Sequence, residues 1–180
     1  IINTNHHRGL HESKYNERRS ECESALADLR KVLPIRTLGD LTEAQFDAHR
    51  QDIADPVCQK RAKHAVYENQ RTIKAVEVLR ENDIVSFGKL MDESHRSLRE
   101  DFEVTGPELN VLVEAAQKQE GVLGARMTGA GFGGCAVAIV KKESVPAFKE
   151  NVRREYMEKI GYEPTFYDAV IGDGPKEIFR

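Results

Sequence analysis

Four glycines fall within six residues, Gly129 to Gly134, inside the stretch Gly124-Ala-Arg-Met-Thr-Gly-Ala-Gly-Phe-Gly-Gly-Cys-Ala-Val-Ala-Ile-Val140. Such a density calls for a backbone at positive φ, or for another segment that comes very close. Read literally, Gly129-Ala-Gly131-Phe-Gly133-Gly134 satisfies the dinucleotide fingerprint G-x-G-x-x-G. That fingerprint needs a helix directly after the glycines, so that N-terminal N–H groups meet a pyrophosphate, and an acid about 20 residues on. Here the glycines run into Cys135–Val140, a short apolar run with the character of a buried strand. No Lys-Ser or Lys-Thr pair closes the loop, which removes the Walker A reading as well. The stretch reads as strand, glycine loop, strand.

The elements around it follow from periodicity. Residues 1–10 read as the end of a strand leaving a core. Ser13 is the N-cap expected for a helix reaching about Leu33, with Cys22, Ala25, Leu26, Leu29 and Val32 on one face and Pro34 as its stop. A lesser helix over Leu38–Arg50 has Thr42 as cap and Phe46 as anchor. Asp55-Pro56 opens a long helix over Val57–Glu81, proline costing nothing in a first turn. Its inward seam runs from Ala62 and Val66 through Asn69, Ile73 and Val76 to Arg80. A third helix places Phe87, Leu90, Met91, Ser94 and Leu98 on one face, with His95 structural. Thr105-Gly-Pro-Glu108 has the pattern of a capping box and launches a helix to about Glu120. Lys141–Ile160 is a helix closed by Gly161, and Thr165–Ile171 alternates as a strand. The second half is thus helix, strand, glycine turn, strand, helix, strand. That order suits an α+β sandwich, a small antiparallel sheet covered by helices, behind a helical N-terminal half.

Charge narrows the partners. Thirty acids against 27 bases leave a net charge of −3, with neither sign gathered into a block, so nothing points to nucleic acid or a polybasic membrane surface. No apolar run approaches the length of a membrane span, and no signal-peptide pattern is seen. Cys22, Cys58 and Cys135 are few, far apart and set among apolar neighbours, the pattern of buried reduced thiols in a cytoplasmic protein. A chain that begins Ile1-Ile2-Asn3 reads as a piece of something longer.

Little in the sequence carries chemistry by itself. His6, His7 and His11 cluster near the start, but no His-Glu-x-x-His frame exists, so an exposed polar loop is favoured over a metal site. Tyr15 lies off the apolar stripe of its helix. Its phenol either hydrogen-bonds a hydroxylated ligand or lies across a neighbouring loop. The glycine loop either borders a phosphate through its backbone N–H groups or is a tight hairpin against which another segment packs. Glu100, Asp101 and Glu103 read as a charged helix end, and Cys135 as an inert thiol at the head of a core strand. No catalytic constellation and no metal ligand set appear.

A resemblance goes further. Met127-Thr-Gly-Ala-Gly-Phe-Gly-Gly-Cys135 resembles the third conserved motif of the GHMP small-molecule kinases. Several stretches in order are similar to the galactokinase family within them: Asn3-Thr-Asn5, Glu12-Ser-Lys-Tyr-Asn-Glu-Arg-Arg19, Arg61-Ala-Lys-His64, Glu68-Asn-Gln-Arg-Thr72, Phe87 to His95 and Gly124-Ala-Arg-Met-Thr128. Two small departures, Thr105 and Asn110, fall at a helix cap. The resemblance implies that residues 1–180 are the C-terminal domain of such a kinase, residues 1–11 being the strand end and connection from an N-terminal domain that the chain lacks. That missing domain would carry the sugar-signature motif, the phosphate loop and the catalytic aspartate, so no catalytic residue lies here. Tyr15 would help hold galactose. Thr128, Gly129, Gly131, Gly133 and Gly134 would support the phosphate loop of the other half. The implied reaction transfers the γ-phosphoryl of ATP to the C1 hydroxyl of α-D-galactose, with Mg²⁺ neutralising phosphate charge, and the chain alone would be inactive. Two alternatives are a non-catalytic sensor of sugar and ATP, and a sister kinase acting on an N-acetylated hexosamine.

Overall fold

The computed structural model describes residues 1–6 and 12–170, together with 172, 174 and 177. The expectations that rest on His7, His11 and the Ser13 side chain fall outside the described residues. Six helices occur among those described: α1 (Glu12–Leu29), α2 (Glu43–His49), α3 (Pro56–Arg80), α4 (Ile84–Glu100), α5 (Gly106–Gln117) and α6 (Val145–Ile160). Four strands, β1 (Ile2–Asn3), β2 (Val122–Thr128), β3 (Cys135–Val140) and β4 (Thr165–Phe166), form one sheet in the order β2-β3-β1-β4. Every pairing in it is antiparallel. None of the described helices is long and apolar enough to cross a membrane.

The helical half has its own core. Ala25 and Leu29 of α1, Phe46 of α2, and Cys58, Ala62 and Val66 of α3 close around Ile53. Phe46 is fully buried, worth roughly 1.5–3 kcal/mol against leaving it in water. The Thr42 hydroxyl accepts the Gln45 N–H to start α2, and the Asp55 carboxylate accepts the Val57 N–H ahead of Pro56 to start α3. The expected inward seam of α3 stops at Val66. Ile73 and Val76 are 48% and 45% exposed, because the last turns of α3 outrun the helices that cover its first half. The thiols also differ from expectation. All three are free, but only Cys58 is buried. Desolvation still pushes the Cys22 thiol up to about 11.

A second core lies between the sheet and α5 and α6. Ile2, Ala125, Met127 and Ala136 from the strands meet Leu109, Leu112 and Val113 of α5, and Phe148, Val152 and Tyr156 of α6. The Tyr156 hydroxyl donates to Thr4 O at 2.8 Å, which ties α6 to the end of β1. Gly161 closes α6 at φ +92°, as expected. Thr105 precedes α5 without making a side-chain cap, so the expected capping box does not form. Glu108 pairs instead with His6 Nδ1 at 2.9 Å. The last strand is shorter than its alternation suggests.

Helix α4 lies along the free edge of β2 and satisfies it. The Asp92 carboxylate accepts the Ala125 N–H at 2.8 Å, and His95 Nδ1 accepts the Met127 N–H at 3.3 Å. Gln117 donates to Ala125 O at 3.0 Å. One turn before Asp92, Gly88 presses on the β2 backbone where the strand register shifts between Val122 and Gly124. An edge strand presents unpaired backbone groups that must find partners; here side chains of α4 and α5 supply them.

His95 accepts a hydrogen bond and His64 lies with Nδ1 3.0 Å from Ser97 Oγ, whose hydroxyl donates to Asp101. Burial pushes both imidazoles down to about 4, Glu68 and Asp101 opposing it at His64, and Arg99 and Arg126 reinforcing it at His95. An unfolded histidine titrates near 6.5. Between those values the unfolded chain binds more protons than the folded one. Stability is therefore complete above about pH 6.5 and falls as pH drops toward 4. At pH 5 the expected loss is roughly 2 kcal/mol per histidine, read as a lower urea midpoint than at pH 7. Equal midpoints at the two pH values would contradict the neutral, buried state of both rings.

Candidate functional site

The structure brings together two features that lie more than a hundred residues apart. Tyr15, Arg18 and Cys22 of α1 form one wall of a recess of about 260 Å³; Gly129, Ala130 and Phe132 form another. Leu98, Phe102 and Val104, at the joint between α4 and α5, complete it. Tyr15 is 61% exposed and sits in the first turn of α1, on the same side of the helix as Arg18 and Cys22. The expectation that it lies off the apolar stripe is not met: Tyr15 stands seven residues before Cys22 and eleven before Leu26, in step with the packed face.

Between β2 and β3 the loop departs from ordinary backbone. Gly129, Gly131, Phe132, Gly133 and Gly134 all have positive φ, from +55° to +97°. The glycines do different jobs. A Cβ on Gly131 would stand 2.1 Å from Val104 O, and one on Gly133 would stand 2.8 Å from the His6 ring. Gly134 O accepts the Thr4 N–H at 2.8 Å. Nothing lies within 4 Å of where a Cβ on Gly129 would be. The loop is thus packed on its inner side, against Val104 and the start of the chain, and open at Gly129. Phe132 anchors it: its N–H donates to Val104 O at 2.7 Å, and the Lys14 ammonium stands 5.5 Å from its ring centroid. Both readings of the loop survive this geometry, a tight turn on one side and an accessible backbone on the other. Thr128 pairs with Cys135 across the strands and faces away from the recess, into a larger cavity of about 530 Å³ shared with Glu68, Arg71, Ser94 and Arg126. Of the expected site residues, Tyr15 and Gly129 line the recess, whereas Thr128, Gly131, Gly133 and Gly134 do not.

Sequence reasoning overlooked what supports the recess from behind. Arg61, only 2% exposed, donates from Nε to Glu21 Oε2 at 2.8 Å, from Nη1 to Asp101 O at 2.6 Å and from Nη2 to Glu103 Oε2 at 2.7 Å. Glu21 Oε2 also accepts from Arg18 Nη1 at 2.8 Å. Arg61 beside Glu103 holds its carboxyl below the ordinary range. Asp101 and Glu103 are thus structural partners, where a charged helix end was expected. A basic residue in step with Ala62 and Val66 on the buried side of a helix was the available signal.

Residues 75–159 match the family model "GHMP kinases C terminal". This chain is similar along nearly its whole length to galactokinases. It is 61% identical over 178 residues to the galactokinase of Clostridium beijerinckii, an alignment covering 99% of this chain and 46% of that protein. Against the galactokinase of Lactiplantibacillus plantarum the identity is 58% over the same length, again 46% of the relative. The crystal structure of Lactococcus lactis galactokinase complexed with galactose superposes with a TM-score of 0.90 at 51% identity, covering 92% of this chain and 43% of that one. The chain spans a little under half the length of these relatives.

Proposed function

We propose that this chain is the C-terminal domain, residues 1–180, of a galactokinase that transfers the γ-phosphoryl group of ATP to the C1 hydroxyl of α-D-galactose in the cytoplasm. The observation that carries the reading is the shared recess, where a phenol able to hydrogen-bond a sugar hydroxyl faces a glycine loop able to border a phosphate. The likeness to a galactokinase complexed with galactose supports it.

In this reading Tyr15 orients the sugar. Gly131, Gly133 and Gly134 hold the loop against Val104, His6 and Thr4, and Thr128 fixes its first strand. Gly129 has open space beside it, which fits the close approach of a phosphate loop contributed by an N-terminal domain joined through residues 1–11. The base, the phosphate loop and most contacts to ATP and Mg²⁺ belong to that domain, and the metal, when bound, neutralises phosphate charge. What the present chain contributes is position. In phosphoryl transfer, alignment and electrostatic stabilisation supply most of the rate.

The deciding experiment measures galactose-dependent ATP turnover by this chain co-expressed with the N-terminal half found in its longer relatives, each part alone being the control. Activity confined to the combination supports the proposal. Binding of sugar and nucleotide without turnover would replace it with a sensor, and preference for an N-acetylated hexosamine in a sugar panel would replace galactose. In the active protein, Tyr15→Phe is expected to weaken galactose binding by about three- to tenfold, the value of one net hydrogen bond, and to leave nucleotide affinity unchanged. Calorimetric titration reads both, and undiminished sugar affinity would remove Tyr15 from the site.

A further inference from the structure

The recess has three walls: α1 with Tyr15, the joint between α4 and α5, and the glycine loop. Arg61 lines none of them, yet its guanidinium bonds two of the three together. Its Nε holds Glu21 of α1, and its two Nη atoms hold Asp101 O and Glu103 in the joint. The next residue in that joint, Val104, carries the carbonyl that receives the Phe132 N–H and against which Gly131 packs. Glu103 itself stands at φ +56°, a conformation that a non-glycine residue holds only when its surroundings impose it. A continuous path of contacts therefore runs from the Tyr15 helix through Arg61 to the loop.

We propose that Arg61 is a positioning residue that sets the spacing between the Tyr15 helix and the glycine loop. It touches no substrate. A planar fork with donors in fixed directions can serve three acceptors on two elements at once, whereas a lysine ammonium on a flexible stem cannot hold the same three in register. The catalytic consequence rests on the kinase reading above; the structural one does not.

Amide hydrogen exchange on the 180-residue chain carrying Arg61→Lys tests the structural part. The Phe132 amide is expected to exchange at least about tenfold faster, as a charge-assisted hydrogen bond is lost. Amides of Val113 and Val152 in the second core should keep their rates. An unchanged Phe132 rate, or one acceleration shared by every amide, would overturn the proposal. In the longer protein, Arg61→Lys is expected to raise the galactose KM and lower kcat with the ATP KM unchanged. Added to Tyr15→Phe, it should cost less sugar affinity than it does alone. Additive losses, or wild-type kinetics from an active enzyme, would overturn it too. If the wild-type combination fails to phosphorylate galactose, the kinase reading falls while the exchange result still decides the role of Arg61.

Discussion

Gly131→Val in the complete kinase is expected to lower turnover by at least about 100-fold, the order seen when a reacting geometry is displaced by an ångström. Two costs combine at this position. At φ +84° any L side chain is strained, by about 1–2 kcal/mol for the left-handed region. The larger cost is steric. A Cβ here would lie 2.1 Å from Val104 O, a backbone atom that is itself accepting the Phe132 N–H, so neither side can yield without breaking that hydrogen bond. The loop must lift off the α4–α5 joint, carrying Gly129 away from the recess. Secondary structure should persist, because the second core is built from residues outside the loop. Gly129→Ala is the internal control: it shares the positive φ but meets nothing within 4 Å, so it bears only the conformational cost. Steady-state assays with far-UV circular dichroism separate these outcomes. Turnover within a few-fold of wild type for Gly131→Val would show that the loop does not depend on this contact.

Gly88→Ala should destabilise the fold by about 3 kcal/mol or more, the upper range for overpacking a tight contact. The sign is the informative part. In an exposed helix interior this exchange stabilises by about 1 kcal/mol, and Gly88 lies inside α4. Here, however, a Cβ on Gly88 would stand 2.0 Å from Leu123 O, and one on Gly124 would stand 2.1 Å from Gly88 O. Both partners are backbone, so relief requires moving a helix away from a strand. Such a shift would also pull Asp92 and His95 from the Ala125 and Met127 amides. Denaturant unfolding reads the change directly. A midpoint equal to or above wild type would mean that α4 and β2 are not held at this distance.

The two glycines show where local signals ended. The density of glycine from Gly129 to Gly134 announced a turn at positive φ between two strands, and the structure has that turn. Gly88 carried no such mark, because an isolated glycine in a helical pattern looks like a tolerated defect until the strand opposite it is known. Tyr15 stood out as a phenol among charged residues at the start of a helix, although it keeps step with Cys22 and Leu26 on the packed face. Arg61 was hidden because it kept the periodicity of its own helix, and an arginine on an apolar stripe ordinarily extends its charged end to solvent. Ile73 and Val76 fitted the helical repeat equally well and proved exposed, since a repeat marks a face of a helix without saying how far its cover extends. Glu108 had the spacing of a capping box but was drawn to His6, a partner from the far end of the chain.

What the sequence determined by itself was therefore everything that depends on neighbours within a few residues. The helices and most of their caps, the strand–loop–strand unit, the α+β class and the resemblance of the glycine motif all came from such short-range patterns. Only the tertiary structure decided which of these pieces share a surface. It placed Tyr15 beside the glycine loop, laid α4 along the edge of β2, and put a buried guanidinium between α1 and the α4–α5 joint. Spacing along the chain records the local conformation of the backbone. Contacts between residues separated by dozens of positions arise from packing and from the pairing of buried charges, which no single segment encodes.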